Sequence, residues 1–330
     1  MGSRIRFGVL LPQGWLDDLQ GVPPEEQFEF SRKTALGAED LGFSSVWAYD
    51  HFIPYREFEP LESKPMLECW TLLSAIAGMT SKVRLGQVVL CNSYRSPALL
   101  AKMGATLDVI SSGRLDFGIG AGWYDREYES YGYPFARDSE RIAQLDEALH
   151  IIRAMWTEEK ASFVGRHYQI KDAISTPKPV QKPHPPIMVG GTGEKLLLRV
   201  AAKHADRYNH PFGTPVELKH KVEVLKEHCA AVGRDHREIE ISILLRVIMG
   251  SDDAEVRRII DEKLRSPEES VEQYLERTNG KATVGTPEQV TATLGEYMQA
   301  GVTHFILHFH GMDQTLKMMK MFAAEVMRKI

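Results

Sequence analysis

The chain has 330 residues, 43% of them hydrophobic and 26% charged, which fits one large barrel or two ordinary domains and excludes a disordered chain. A net charge of −5 gives no general attraction to nucleic acid or anionic membrane, and no run approaches the roughly 18 apolar residues of a membrane span. Cys69, Cys91 and Cys229 are widely spaced and no signal-peptide core precedes the first strand pattern, so a disulfide-free cytoplasmic protein is expected.

Short continuous runs of Val, Ile, Leu and Phe predict strands near 5–11, 44–50, 83–90, 115–121, 186–190, 205–209, 239–248 and 302–309. Such runs suit parallel strands buried on both faces. Helical patterns fall between them, near 25–42, 68–80, 97–111, 138–157, 193–204, 215–232, 253–277, 287–300 and 313–328. Ser96-Pro97 and Thr286-Pro287 are N-cap and first-turn signals, and Gly42 and Gly301 sit where a left-handed C-cap belongs. Eight strands alternating with helices predict an α/β fold, a (β/α)8 TIM barrel, with a doubly wound open sheet as the other arrangement of the same elements. One domain over 1–330 is expected, with insertions near 50–67, 122–137 and 158–185; the last reads as a hairpin followed by a proline-rich approach to the fifth strand.

Several of these strands end in polar or glycine-rich sequence, and in a barrel those ends share one rim, where the chemistry lies. Asp50 and His51 close the second strand. A histidine moves protons near neutral pH and an adjacent acid can fix its tautomer, although an Asp-His pair can also just cap a loop. Gly190-Gly191-Thr192-Gly193 lies between a strand and a helix, where bare backbone amides can meet an anion; it lacks Walker-loop spacing. Gly118, Gly120 and Gly122 end the fourth strand, either admitting a flat ring or relieving crowding at the barrel mouth. They do not form the dinucleotide fingerprint.

His308 and His310 alternate on the last strand, with His304 before them. A His-x-His pair can ligate zinc, but no third ligand stands at a metal spacing, and the reading is no metal. Trp123, Tyr124, Tyr128, Tyr131 and Tyr133 either wall a flat ligand or pack a lid.

Taken together these segments resemble the luciferase-like monooxygenase superfamily, in its branch of coenzyme F420-dependent oxidoreductases. The resemblance is carried by Ser45-Val46-Trp47-Ala48-Tyr49-Asp50-His51-Phe52, Val83-Arg84-Leu85-Gly86-Gln87-Val88-Val89, Tyr94-Arg95-Ser96-Pro97, Ser112-Gly113-Arg114-Leu115-Asp116-Phe117-Gly118-Ile119-Gly120-Ala121-Gly122-Trp123, the Gly190-Gly191 loop and Val284-Gly285-Thr286-Pro287. It runs through nearly the whole chain in order.

The resemblance implies a flavin or deazaflavin across the barrel mouth. It places Asp50 and His51 at the reactive ring, with His51 as proton donor or acceptor. It makes Val88-Val89 a non-proline cis peptide behind the ring, and gives Asn92, Ala121, Gly122, Gly190, Gly191, Thr192 and Gly193 as further cofactor contacts. The implied activity is hydride transfer between F420 and a small organic substrate. The alternatives are an FMN-dependent monooxygenase served by a separate reductase, a non-catalytic flavin-binding homologue, and a metal-dependent hydrolase using His51, His308 and His310. A homodimer is implied. In the sugar-phosphate dehydrogenases of this superfamily an acid follows the fourth-strand Gly-x-Gly segment as base. Here Trp123 stands there, which suits an apolar or aromatic substrate wall and puts glucose-6-phosphate in doubt.

Overall fold

The computed structural model describes residues 5–55, 64–263, 268–309 and 312–330. In chain order the first elements are β1 (Arg6–Leu10), α1 (Pro24–Leu41), β2 (Ser45–Ala48), α2 (Cys69–Ala77), β3 (Arg84–Gln87), β4 (Leu90–Cys91), α3 (Pro97–Ile110) and β5 (Leu115–Gly120). Then come α4 (Asp125–Tyr131), α5 (Asp138–Thr157), β6 (Ala161–Val164), β7 (Gln169–Ala173), β8 (Ile187–Gly190), α6 (Leu197–His204), β9 (Arg207–Pro211) and α7 (Pro215–Ala231). The chain ends with β10 (Glu240–Met249), α8 (Asp253–Lys263), α9 (Val271–Arg277), β11 (Ala282–Gly285), α10 (Pro287–Gln299), β12 (His304–Phe309) and α11 (Met312–Glu325).

Parallel pairings run β1–β2–β3–β5–β8–β9–β10–β12, and β12 pairs with β1 (Arg6 opposite His304, Val9 opposite Leu307). That last pairing closes an eight-stranded barrel and rules out the open sheet. Among the described residues no helix is long and apolar enough to cross a membrane.

The interior is filled by Trp47, which is fully buried. A Cβ on Gly8 would lie 2.5 Å from its Nε1, and one on Gly86 2.2 Å from its ring. The two glycines on the neighbouring strands therefore make the space for the indole. Its Nε1–H donates to Ser45 Oγ at 2.8 Å, so the buried donor is satisfied. Removing such an indole costs about 3–5 kcal/mol.

The N-terminal ends of the strands carry charge. Asp116 is buried between Arg84 and Arg207, at 2.5 and 2.6 Å. Arg207 also meets Glu240 at 2.8 Å, and Glu240 pairs with Arg6. This ring closes the bottom of the barrel, the end at which such folds place stability.

Three elements depart from the sequence reading. The helix expected over 253–277 is two, α8 and α9; α9 starts afresh at a Ser270–Gln273 capping box. The helix expected from 193 begins at Leu197, because residues 191–193 form a loop and 194–196 a turn. The strand β11 was not foreseen: β10 is ten residues long, so β9 covers its first half and its second half is left to pair with the short Ala-Thr-Val-Gly segment. The 122–137 insertion contains α4, the 158–185 insertion contains the β6–β7 hairpin, and residues 56–63 of the 50–67 insertion lie outside the described residues.

Candidate active site

A cavity of about 640 Å³ opens at the C-terminal ends of the strands. Asp50, His51, Val88, Val89, Ala121, Gly122, Gly190, Gly191, Thr192 and Gly193 all line it. Asn92 does not; it is buried, and its Nδ2 donates to Tyr168 Oη beside the hairpin at 3.2 Å.

The His51 ring is held on two sides. Trp15, from the loop after β1, stacks on it with centroids 3.8 Å apart and an interplanar angle of 14°. On its edge, Nδ1 lies 2.7 Å from Glu127 Oε2. Glu127 is fully buried and also accepts from Tyr94 Oη at 2.7 Å and from the amides of Phe52 and Ile53 at 2.6 and 3.1 Å. Burial opposes its ionisation, but the bonds from His51, Tyr94 and the Phe52 amide prevail and hold the carboxyl below its ordinary range. An ionised carboxylate only accepts, so His51 Nδ1 carries a proton and Nε2 is left for chemistry.

Asp50 has a different task. Arg95 grips its carboxylate with two bonds of 2.8 and 3.0 Å, and the Cys91 amide adds a third at 2.9 Å. Burial pushes the Asp50 carboxyl up while Arg95 and the Cys91 amide pull it down. The acid that touches His51 is thus Glu127, from α4, while its sequence neighbour Asp50 ties the end of β2 to the start of α3.

The Val88–Val89 peptide is cis. Val89 protrudes between Gly120 and Gly190: a Cβ on Gly120 would lie 2.9 Å from Val89 Cγ2, and one on Gly190 2.7 Å from Cγ1. Of the fourth-strand glycines it is Gly120 that makes room for the valine bulge, while Gly118 abuts Gln87 O and Gly122 abuts Tyr128 and Cys91. The 190–193 loop is fastened by Lys221, whose Nζ donates to Thr192 O at 3.1 Å and meets Glu194 at 2.6 Å.

The remaining wall is aromatic. Tyr49, Tyr55, Tyr124 and Phe212 line the cavity with Trp15, and Trp123 stands over it 54% exposed, 5.8 Å from His51 edge-to-face. Cys91 also reaches the cavity, but burial pushes its thiol up to about 12, so it offers no thiolate. His304 lies in the barrel interior against Ser45 and Arg6, and its imidazole is held far below its ordinary value by burial and by Arg6. His308 is buried in β12, and His310 lies outside the described residues. Among the described residues the three groups close enough to share a metal are Asp146, His150 and His204, away from this cavity.

Sequence reasoning missed Glu127, Trp15, Arg95 and Arg246. Two left a signal. Glu127 is an acid set among Tyr124, Tyr128 and Tyr131, and Arg246 is a lone charge in the apolar run Ile241–Met249.

Residues 5–304 match the family described as luciferase-like monooxygenase. The F420-dependent glucose-6-phosphate dehydrogenase of Kineococcus radiotolerans is 30% identical over 312 residues, covering 88% of this chain and 90% of its own. Among solved structures, an F420-dependent secondary alcohol dehydrogenase in complex with an F420-acetone adduct superposes with a TM-score of 0.78 at 20% identity, over 98% of each chain. The oxygenating constituent of 3,6-diketocamphane monooxygenase from Pseudomonas putida, in complex with FMN, gives a TM-score of 0.79 at 19% identity over 99% of each chain. The match over residues 5–304 and the 30%-identical relative show that the chain belongs to the luciferase-like monooxygenase family.

Proposed function

We propose that this luciferase-like oxidoreductase transfers a hydride between coenzyme F420 and a small organic substrate, with His51 giving or taking the proton. The observation that carries the reading is the His51–Glu127 bond inside a cavity backed by the cis Val88–Val89 bulge. The choice of F420 over FMN is supported by the 30%-identical relative, which is named for that cofactor; the solved structures, all below 25% identity, support the barrel.

The residues present fit such a group. A cavity of about 640 Å³ is of the size that holds a cofactor, and the missing Cβ atoms of Gly120 and Gly190 leave the valine bulge room to face it. Val88 and Val89 would back the ring, with Asp50, Ala121 and Gly122 at its edges, and the Gly190–Gly193 amides would take the phosphate. When bound, F420 supplies a carbon that accepts or releases hydride. Glu127 fixes the His51 tautomer so that Nε2 serves the substrate oxygen. Trp15 holds the imidazole plane, and Trp123 and Tyr124 keep water from it. The aromatic wall favours an apolar substrate over a sugar.

We also read the chain as a homodimer. The faces it would use are those of α2 and α3, on and beside which Met79, Leu99 and Ile110 are exposed. Three buried free cysteines fit a reducing compartment.

The experiment is an anaerobic screen of apolar alcohols and enones with F420, following the cofactor's absorbance. Turnover that collapses in His51→Asn supports the reading. Oxygen-dependent turnover with reduced FMN and a reductase, and none with F420, replaces it with monooxygenation.

A further inference from the structure

After Glu240 at the barrel bottom, β10 reads Ile241-Ser242-Ile243-Leu244-Leu245-Arg246-Val247-Ile248-Met249, in which Arg246 is the one charge. Leu244 and Arg246 stand two apart, on one face, and both line the cavity. The guanidinium is half-buried. No described residue accepts a hydrogen bond from it, and Nε is shut off from solvent with no partner. The Phe212 ring lies 5.9 Å from it, and the phenols of Tyr49 and Tyr274 are near enough to feel its charge. The other charges deep in this wall are matched, Asp50 by Arg95 and Arg141 by Asp138. Lys281 adds a second cation: it lines the same cavity, and its carbonyl takes the Arg246 amide at 3.0 Å.

Buried charges are normally paired, and an orphan donor in a cavity wall calls for an acceptor from outside the chain. A guanidinium fork matches a carboxylate or phosphate. The anion loop of the cofactor site is elsewhere. It follows β8, two strands from β10, about 10 Å around the barrel at ordinary strand spacing, and Lys221 fastens it there. Arg246 instead stands beside β12, close enough to Tyr49 to act on its phenol electrostatically. From Tyr49 the aromatic wall continues to Trp15 at 5.5 Å and on to His51 at 3.8 Å. The wall therefore has a cationic end and a proton-transfer end, joined by aromatic rings.

We propose that Arg246, helped by Lys281, binds an anionic group of the substrate, which is an aromatic or similarly apolar organic anion. Its carboxylate or phosphate sits at Arg246 and its reacting carbon at His51. This deepens the oxidoreductase reading and rests on it for the second half.

The test titrates the full chain, with and without F420, using phenylacetate, phenylphosphate and the neutral phenylacetamide. Fluorescence of Trp15 and Trp123 in the wall reports binding. At least one anion is expected to bind about tenfold tighter than the amide, and the stronger of the two identifies the headgroup. Arg246→Met should erase that difference, and Arg246→Lys should keep most of it. Equal binding of anions and amide by the wild-type chain, a comparison that needs no variant to fold, overturns the proposal. So does an Arg246→Met chain that loses F420 affinity yet still prefers the anions. If F420 fails to bind while the Arg246-dependent preference persists, the anion site stands and the cofactor reading falls.

Discussion

Glu127 and His51 are 76 positions apart, yet the Glu127 carboxylate and the His51 imidazole share a 2.7 Å bond that decides which imidazole nitrogen faces the cavity. The helix α4 exists in the right place because the aromatic residues around Glu127 pack inward: Tyr128 is fully buried against Cys91 and Tyr94. Packing of an insertion thus sets the state of a residue at a strand end.

Replacing Glu127 by Gln should lower turnover about 10²-fold while leaving F420 affinity within a few-fold of wild type. The same variant also tests the charge. Because the Glu127 carboxyl lies below its ordinary value in the folded chain, its stabilising effect is full above the ordinary carboxylate range and is lost as pH falls through the depressed value. The stability gap between wild type and Glu127→Gln, from urea unfolding, should therefore shrink on acidification.

Replacing Asp116 by Asn should cost about 3–5 kcal/mol, since it leaves Arg84 and Arg207 without their shared buried partner. Burial works against this carboxyl, but Arg207 and Arg84 bring it down to about 2 from 3.8. Its contribution is thus present above about pH 4 and is lost as pH falls toward 2. Urea midpoints measured from neutral pH down to pH 2 check both statements.

Two glycine-to-alanine changes should go in opposite directions. Gly190→Ala places a methyl 2.7 Å from Val89 Cγ1, so it should displace the valine bulge and weaken F420 binding. Gly295 lies within α10 with nothing within 4 Å of its missing Cβ. Gly295→Ala should raise stability by about 1 kcal/mol with activity unchanged. Thermal melts and cofactor titration on the two variants separate the cases.

Much of the barrel was legible because buried parallel strands write themselves as continuous apolar runs and because helix caps are local. Ser96, Thr286 and Gly42 act where the chain order alone suggests. The cavity was legible through strand ends: ten of the residues read from them converge there. What was illegible depends on distance. Nothing local distinguishes Asp50, which binds Arg95, from the acid that holds His51. Trp15 stacks on His51 only because the loop after β1 folds across the mouth. Asn92, which the resemblance implies as a cofactor contact, turns toward Tyr168. The short strand β11 forms only because a ten-residue partner offers it a free edge.

The most direct measurement is an anaerobic fluorescence titration of the purified chain with F420 and, separately, with oxidised and reduced FMN. Saturable F420 binding is expected, with FMN much weaker in both states and with F420 bound more weakly by Gly190→Ala than by the wild-type chain. Selective binding of reduced FMN, or binding of neither cofactor, would contradict it.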